Sequence, residues 1–463
     1  MTQQADPAVR ALYQNHRYPA MSHPLSDPAV TAVAAALGGL IPAHPANARI
    51  VEIGCASGHN LLPLARRWPA SRFAGVDLAD GAITTARNLA DAAGIRNVGF
   101  FAADLREFDP GPEPIDYIIA HGFFSWVPDE AKLALLEFCN RHLAPTGIAT
   151  VSFNLNPGWT LRQPVIELVR QLLPVTGGDP VATLKLVGET LDPETPHGRM
   201  LGWVVEDMLA KGADILAFDD FGPVNDPCTF PSFLQLAAQA GLRWLGESDP
   251  AENLPSSLGG KSRAALNRLA GHPLHAQLAA DFASARTFRS GVLCRSGAPL
   301  NGPALDALLP TWSLRPGIRP AGKETAVSTA LHAALVAGAP ATIHAGDLLD
   351  SLTGHESARI AEAIIDGITG GFVRARIEPV VFDPKPPENP SLNPLALACA
   401  RSSLPVVDIW HTPCAFPDTH YPILAAMDGT RATGELAALA STQAPELAFS
   451  PWLAHLAERG FFA

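Results

Sequence analysis

The sequence predicts an α/β protein built around a doubly wound, mostly parallel β-sheet. From residue 49 onward, short apolar runs alternate with amphipathic helical patterns, and a glycine-rich turn, "GCASG" (54–58), directly follows the first run. Apolar strands that alternate with amphipathic helices indicate parallel strands with crossover helices on both faces. The chain has 463 residues, which is enough for about two or three domains of ordinary size.

Five strands are predicted in the first part of the sheet, each from a short apolar run. The runs are "RIVEIGC" (49–55), "RFAGVDL" (72–78), "VGFFAAD" (98–104), "PIDYIIAHG" (114–122) and "GIATVSFN" (147–154). Helical patterns lie between them in "NLLPLARRW", "GAITTARNLADAAG" and "DEAKLALLEFCNRHLA". The second helical pattern ends on Gly94, as helices commonly end on glycine.

The alternation breaks after Asn154 and returns in two further strand patterns, "LRWLGES" (242–248) and "TFRSGVLCRS" (287–296). Because the intervening sequence is mostly helical, residues 155–228 are predicted to be an insertion between the fifth and sixth strands of one sheet. The predicted organisation has five parts: an N-terminal segment (1–48), a core (49–154), the helical insertion (155–228), a segment that completes the sheet (229–298) and a C-terminal region (304–463).

The C-terminal region contains three helical patterns followed by a strand-like run, "FVRARIEPVVF", an order that resembles a winged helix. Its third helix, "ESARIAEAIIDG", carries Arg359 as its only basic residue beside three acidic ones. DNA phosphates require clustered positive charge. We therefore expect this region to contact another protein, or a second copy of the chain in a homodimer, and not DNA.

Charge and composition argue against several other partners. The formal net charge is −12, and no block of lysines and arginines exceeds two residues, which disfavours nucleic acid. The six cysteines are scattered without a CxxC pair, which predicts reduced thiols and a cytoplasmic location. The N-terminus lacks a signal-peptide pattern, and no apolar run approaches the length of a membrane span, so no membrane association is predicted.

Acidic residues stand at the ends of three predicted strands, where ligands bind in doubly wound sheets. The turn after Glu52 has one glycine fewer than a dinucleotide-binding loop. The acidic side chain of Glu52 beside this turn suits a ligand with a cationic head and not a diphosphate. Asp77 ends the second strand, where an acidic residue can accept hydrogen bonds from both ribose hydroxyls. Asp104 ends the third and is placed to accept from an adenine amine. A cationic head, a ribose and an adenine together indicate S-adenosylmethionine.

Each of these features also has an ordinary structural interpretation. The glycines can serve only a tight turn, Glu52 can pair with a nearby arginine, and His121 can simply end the fourth strand. Three C-terminal residues, His411, Cys414 and His420, form the pattern H-x-x-C-x(5)-H, which invites a metal interpretation. This pattern lacks a fourth ligand in register, and no metal site is predicted.

The strand-end motifs "VEIGCASGHN", "GVDLA", "AADL" and "IIAHGFFSWV" look like those of class I S-adenosylmethionine-dependent methyltransferases. Further stretches, "VSFNLNPGW", "PVNDPCTFPSFLQLAAQAGLRWLGE" and "DFASARTFRSGVLCR", are similar to the bacterial methyltransferases with a regulatory domain, a family that includes rickettsial enzymes that methylate lysines of outer-membrane proteins. The resemblance covers residues 10 to about 300. It implies a Rossmann-like, seven-stranded sheet in which the insertion is a substrate lid, followed by a winged-helix-like C-terminal region.

The resemblance also implies a cofactor site over the glycine turn. Gly54 and Gly58 would let the backbone approach the methionyl part, with Glu52 beneath it, and His121 would sit beside the transferable methyl. The implied cofactor-binding residues are Glu52, Gly54, Cys55, Gly58, Asn60, Asp77, Leu78, Asp104, Leu105, His121, Gly122 and Phe123.

Acceptor-facing residues are expected in the N-terminal segment, which would cover the cofactor, and around the lid. The candidates are Tyr18, Trp126, Asn154, Asn156, Trp159 and Asn225. Tryptophans also suit a core and asparagines a turn, so both interpretations stay open here. No catalytic acid or base is assigned, because in-line methyl transfer depends chiefly on the alignment of nucleophile, methyl and sulfur.

Three functions remain open at the level of sequence. The first is methyl transfer to a protein or peptide side chain, such as a lysine amine. The second is transfer to a small molecule held in a closed pocket. The third is a cofactor-binding scaffold without catalysis, against which the intact glycines and aspartates argue. Acceptor choice is expected to depend on residues 155–228.

Overall fold

A computed structural model describes residues 19–222, 224–253, 258, 260–302, 304–318 and 325–462. Its centre is a seven-stranded sheet in the order β3-β2-β1-β4-β5-β7-β6. The strands are β1 (Arg49–Ile53), β2 (Arg72–Asp77), β3 (Val98–Ala102), β4 (Ile115–Ala120), β5 (Leu143–Asn154), β6 (Leu242–Glu247) and β7 (Phe288–Arg295). The first five run parallel, and β7 runs antiparallel to both of its neighbours. The predicted sheet, with its sixth and seventh strands, is confirmed.

Two of the differences between predicted and observed strand ends are informative, and the other ends agree to within two residues. β5 begins at Leu143 and not at residue 147, because its pairing with β4 starts there, is interrupted by a bulge and resumes at Ile148. β3 ends at Ala102, so Asp104 lies in the loop that follows the strand. Runs of apolar residues locate buried strands well, but they do not reveal where a pairing partner ends.

Helices cover both faces of the sheet, as parallel strands require. The helices from residue 28 to residue 283, including those of the insertion, are α1 (Pro28–Leu37), α2 (Leu61–Arg67), α3 (Asp80–Ala92), α4 (Asp129–His142), α5 (Gln163–Leu172), α6 (Pro180–Glu189), α7 (Pro196–Leu209), α8 (Ala213–Asp219), α9 (Phe230–Gln239), α10 (Gly260–Asn267) and α11 (Pro273–Ala283). Ile50 of β1 joins an apolar core with side chains of α2 and α3. Val51 and Ile53 face the opposite way, into a core with α4 and α9.

The predicted insertion between β5 and β6 is helical. Helices α5 to α8 occupy it and enclose an apolar core of their own, which includes Val165, Val169, Leu184, Val204 and Met208. A separate core lets this part of the chain form a distinct layer at the end of the sheet where the parallel strands terminate.

The C-terminal region contains two apolar cores. The first belongs to residues 305–376, which form α12 (Leu305–Leu308), β8 (Ser313–Pro316), α13 (Ala326–Gly338), β9 (Ile343–His344), α14 (Ala345–Ser351), α15 (Ser357–Gly370) and β10 (Val373–Arg376). The strands pair antiparallel in the order β10-β8-β9. Helices with a small antiparallel sheet are compatible with a winged helix, which stays a prediction.

Residues 392–462, which we call the C-terminal cap, pack into the second core, which they share with the sheet and its helices. The cap consists of α16 (Pro394–Arg401), β11 (Val406–Val407), β12 (Pro413–Cys414), α17 (Tyr421–Ala425), α18 (Thr433–Gln443) and α19 (Phe449–Glu458). Its apolar side chains, including Leu395 and Cys399, are continuous with the core that contains Ile50, Leu62 and Leu89. The cap therefore packs directly on the helices of the sheet.

The arginines of the predicted wing are already paired with carboxylates. Arg374 contacts Asp249 at 2.5 Å, and Arg376, which is 5% exposed, contacts Asp27 at 3.4 Å. We expect a fluorescently labelled DNA duplex at low salt to show no change in anisotropy at micromolar protein, while light scattering reports whether the chain is a dimer. Micromolar binding that weakens as salt rises would contradict this prediction.

Candidate active site

The turn between β1 and α2 is held by hydrogen bonds to β2. Gly54 has a φ of +75° and donates its N–H to Val76 O at 2.8 Å, while Ala56 N donates to Asp77 Oδ2 at 2.8 Å. A Cβ on Gly54 would lie 3.0 Å from the ring of Phe123. A side chain here would be strained by the backbone and crowded by the ring, so the turn requires glycine.

Gly58, at the other end of the turn, does not line the cleft that lies over β1 and β2. It has a φ of +75°, and a Cβ there would lie 2.8 Å from the ring of Phe100 and 3.1 Å from Ala86. Packing behind the turn is therefore a sufficient reason for glycine at this position, and the expectation that Gly58 opens the backbone to a ligand stays a prediction.

Asp77 lies at the end of β2 and lines the cleft. Its Oδ1 accepts a hydrogen bond from Ala79 N at 2.9 Å, and its Oδ2 accepts from Ala56 N. Burial raises the pKa of Asp77, and the backbone donors partly oppose that rise. Since each carboxylate oxygen can accept more than one hydrogen bond, Asp77 can hold the turn and still receive a ligand's hydroxyls.

Glu52 is the acidic residue of β1 and is 3% exposed. Its Oε1 accepts a hydrogen bond from Asn60 Nδ2 at 2.7 Å, and its Oε2 has no hydrogen-bond partner among the described residues. Burial raises the pKa of Glu52 to about 8, a rise that the bond from Asn60 opposes and the charge of Asp77 increases. A buried carboxylate with an unused oxygen in a cleft suits a cationic group.

Asp104 is engaged by its own loop. The Arg106 guanidinium donates to both carboxylate oxygens, from Nε at 2.9 Å and from Nη2 at 2.6 Å. Asp104, Leu105 and Arg106 all line the cleft. Any ligand that approaches Asp104 therefore meets a carboxylate shared with a guanidinium.

Two histidines stack at the edge of the cleft. The rings of His23 and His121 lie 3.8 Å apart between centroids at an interplanar angle of 20°, and Phe288 of β7 lies 5.5 Å from His121. Burial lowers the pKa of His23 to about 4, and burial together with His23 lowers the pKa of His121 well below its ordinary value. Both rings are therefore neutral at physiological pH, which removes the repulsion a stacked charged pair would suffer.

The cleft gathers most of the residues predicted to bind a cofactor. The space inside it, counted out to its open mouth, is about 1220 Å³. The predicted residues that line it are Glu52, Gly54, Cys55, Asn60, Asp77, Leu78, Asp104, Leu105, His121, Gly122 and Phe123.

The acceptor-facing candidates are scattered. Trp126 lines the cleft, and Tyr18 lies outside the described residues. Trp159 is 4% exposed. Its ring centroid lies 4.8 Å from the guanidinium carbon of Arg162 and 5.0 Å from Lys211 Nζ, so the ring is buried within the insertion. The three asparagines make hydrogen bonds within the protein: Asn154 donates to Asn225 at 3.2 Å, Asn225 donates to Asp219 O, and Asn156 donates to Pro227 O.

A second cleft opens on the side of the insertion and shares Phe288 as a wall with the histidine pair. Trp203, on α7, is 52% exposed and lines it. The charged residues along this cleft are the acids Asp207, Glu247, Asp249 and Glu252 and the bases Arg162, Arg286 and Arg374. Pairing between them leaves the cleft without an excess of positive charge.

Two features are absent from the described part of the chain. No group of three or more histidine, cysteine or acidic side chains there is arranged to hold a metal ion. Likewise, no described helix has both the length and the apolar character to cross a bilayer.

The fold and the cleft together define a class of enzyme. A doubly wound sheet whose antiparallel seventh strand lies between β5 and β6, with acidic residues beside a glycine turn, is the architecture of class I methyltransferases. A family profile described as a methyltransferase domain matches residues 50–147, and one described as a predicted methyltransferase regulatory domain matches residues 212–295.

Individual relatives agree with these profiles. The chain is 34% identical over 241 residues to the uncharacterized protein RP028 of Rickettsia prowazekii, covering 50% of this chain and 96% of that protein. It is 28% identical over 305 residues to RP789 of the same organism, covering 62% of this chain but only 53% of that relative. The structure of PKMT2 from Rickettsia typhi in complex with AdoHcy matches with a TM-score of 0.79 at 21% identity, covering 96% of this chain and 98% of PKMT2.

The chain therefore belongs to the family of S-adenosylmethionine-dependent methyltransferases with a methyltransferase regulatory domain. The cofactor of this family is S-adenosylmethionine.

Several residues at the site were missed by the sequence reasoning. Arg106 follows Asp104 by two positions, a local spacing that could have signalled the pairing. Phe288 and Trp203 carry no local signal, because only the folded sheet and insertion bring them to the clefts. His411 was considered only as a metal ligand, whereas the structure places it against Asn60.

Proposed function

We propose that this methyltransferase transfers the methyl group of S-adenosylmethionine to a side-chain amine of a protein or peptide, of the lysine class. The observation that carries the proposal is the 5.5 Å contact between the rings of His121, which lines the cofactor cleft, and Phe288, which lines the open cleft on the insertion side. A reaction between two substrates needs two such approaches that meet at one point.

The residues of the first cleft fit the cofactor. The unused Oε2 of Glu52 suits the methionyl ammonium, and the Asp77 carboxylate suits the ribose hydroxyls. The loop around Asp104 and Leu105 would lie along the adenine edge. When bound, the cofactor supplies a methyl group already activated by a sulfonium. PKMT2, which resembles this chain in fold, holds AdoHcy in its structure, and this likeness supports the assignment.

The second cleft suits an extended cationic side chain. Exposed Trp203 offers a flat apolar surface for a lysine stem, and carboxylates outnumber arginines along the walls. A lysine amine must lose its proton before it can attack the methyl, against an ordinary pKa of about 10.4. Desolvation beside Phe288 and Trp126 would favour the neutral amine. The Nδ1 of neutral His121 has no hydrogen-bond partner among the described residues. It would accept a hydrogen bond from the amine and so orient the amine for attack.

The transfer itself can be tested with a defined polymer. The full chain and S-adenosylmethionine labelled on its methyl group are incubated with poly-L-lysine, and with the same polymer after acetylation of its amines as the matched control. We expect label to enter poly-L-lysine and not the acetylated polymer. Trp203→Ala should reduce this transfer without changing the affinity for S-adenosylhomocysteine.

The same assay separates the two competing functions. Label that enters only the low-molecular-mass fraction of a bacterial extract would favour a small-molecule acceptor and contradict the lysine proposal. Tight binding of S-adenosylhomocysteine without transfer to the polymer or to any component of the extract would instead favour a non-catalytic scaffold.

A further inference from the structure

The C-terminal cap reaches the floor of the cofactor cleft through one side chain. His411 is fully buried, and its Nε2 lies 2.7 Å from Asn60 Oδ1, although the two residues are 351 positions apart. Asn60 is the residue that donates to Glu52. A three-residue chain of contacts therefore connects the cap to the carboxylate that faces the cleft.

The hydrogen-bond directions along this chain can be assigned. The backbone N–H of His23 donates to Asn60 Oδ1 at 2.8 Å, and a backbone N–H can only donate, so this oxygen is an acceptor. Asn60 Nδ2 must then donate to Glu52, and His411 must carry its proton on Nε2 in order to donate to Asn60. The Nδ1 of His411 has no hydrogen-bond partner among the described residues. Burial lowers the pKa of His411 to about 3, so the ring is neutral.

The loop that presents His411 is built to hold it in place. Asp408 Oδ1 accepts from Trp410 N at 2.9 Å and from Thr412 N at 2.7 Å, and Arg459 holds the other oxygen of Asp408 at 2.6 Å. His411 itself has a φ of +65°, a strained conformation for a non-glycine residue. Ser22 fixes the loop from the other side, because its hydroxyl donates to His411 O at 2.9 Å.

Other contacts dock the same loop on the cofactor-binding core. Arg67 of α2 donates to Ile409 O at 2.9 Å, and the same guanidinium contacts Asp27 at 2.7 Å. These partly buried contacts tie the position of the loop to the docking of the whole cap. His411 is therefore held within hydrogen-bonding distance of Asn60 only while the cap is docked.

We infer that His411 is a positioning residue for the cofactor site, and that docking of the C-terminal cap and binding of the cofactor stabilise each other. His411 acts through Asn60, which aims its amide at Glu52 and keeps the other carboxylate oxygen turned to the cleft. Coupling of this kind is reciprocal, so bound cofactor should favour cap docking by the same factor by which cap docking strengthens cofactor binding. The inference rests on the proposed cofactor site.

Two variants isolate the donor from the rest of the side chain. Gln places its Nε2 where His411 carries its own, so His411→Gln retains the donor, whereas His411→Leu fills a similar volume without one. Both replacements face the same backbone strain. We expect His411→Leu to weaken S-adenosylhomocysteine binding about fivefold by calorimetry and His411→Gln to stay within about twofold of wild type. His455→Leu, at an exposed position of α19 in the same cap, is the matched control.

Hydrogen exchange on the wild-type chain provides a test that does not depend on a variant's folding. Saturating S-adenosylhomocysteine should slow exchange in peptides covering residues 405–415 of the cap. Unchanged exchange there, or a folded His411→Leu variant with wild-type affinity, would overturn the inference while leaving the cofactor site intact. Equal weakening in His411→Leu and His411→Gln would also overturn it. A wild-type chain that does not bind S-adenosylhomocysteine would overturn the proposed function and this inference with it.

Discussion

Replacement of Asp77 by alanine is expected to weaken S-adenosylhomocysteine binding about ten- to a hundredfold. A hydrogen bond to a charged group contributes about 1.5–3 kcal/mol, and about 1.4 kcal/mol corresponds to a factor of ten. The variant also deprives Ala56 N and Ala79 N of their acceptor, so the turn beneath the ligand loses its support. Both effects act in the same direction.

Calorimetric titration measures this loss directly. Asp80→Ala is the matched control, because Asp80 is an exposed acidic residue three positions further on, at the start of α3. Asp77→Asn should fall between wild type and Asp77→Ala, since the amide keeps one acceptor oxygen. Undiminished affinity in Asp77→Ala would refute the assignment of Asp77 to the ribose.

Most of the sheet could be predicted from the sequence because its strands are buried on both faces. A strand such as β1, with Ile50 facing one core and Val51 the other, must be apolar at consecutive positions, and such runs stand out. The acidic residues that interrupt these runs stand out for the same reason. This is why the sequence alone predicts that Glu52 and Asp77 lie at the cleft.

The parts that could not be predicted depend on contacts between distant segments. The stacking of His23 on His121 and the hydrogen bond from His411 to Asn60 leave no periodic trace in the chain. The sequence also does not predict that the C-terminal region packs into two different cores, because the helices of both cores have similar apolar stripes. Gly58 is a different case. The sequence indicates that the turn needs a glycine there, but it does not reveal that the ring of Phe100 would crowd a side chain at this position.

The protonation of Glu52 provides the most specific signature of the proposed cofactor site. Burial raises the pKa of this carboxyl to about 8 in the ligand-free protein, so it is mostly neutral at pH 6.5. A bound ammonium group favours the charged carboxylate, and binding must therefore expel the proton. Affinity should consequently rise as pH increases from 6.5 towards 8, by at most about tenfold per pH unit. Above pH 8 the affinity should stop rising, because Glu52 is already ionised and the ligand's own amine begins to lose its proton.

Glu52→Gln tests this account, since the amide preserves the shape of the side chain but cannot titrate. Calorimetry of S-adenosylhomocysteine binding at pH 6.5, in two buffers with different ionisation enthalpies, should show the release of about one proton by wild type and almost none by Glu52→Gln. The affinity gap between the two proteins should widen as pH rises, to about tenfold or more at pH 8, because only wild type gains a negative charge there. Equal proton release by both proteins would show that Glu52 does not face the ammonium group, and a gap that narrows with rising pH would assign the titration to another residue.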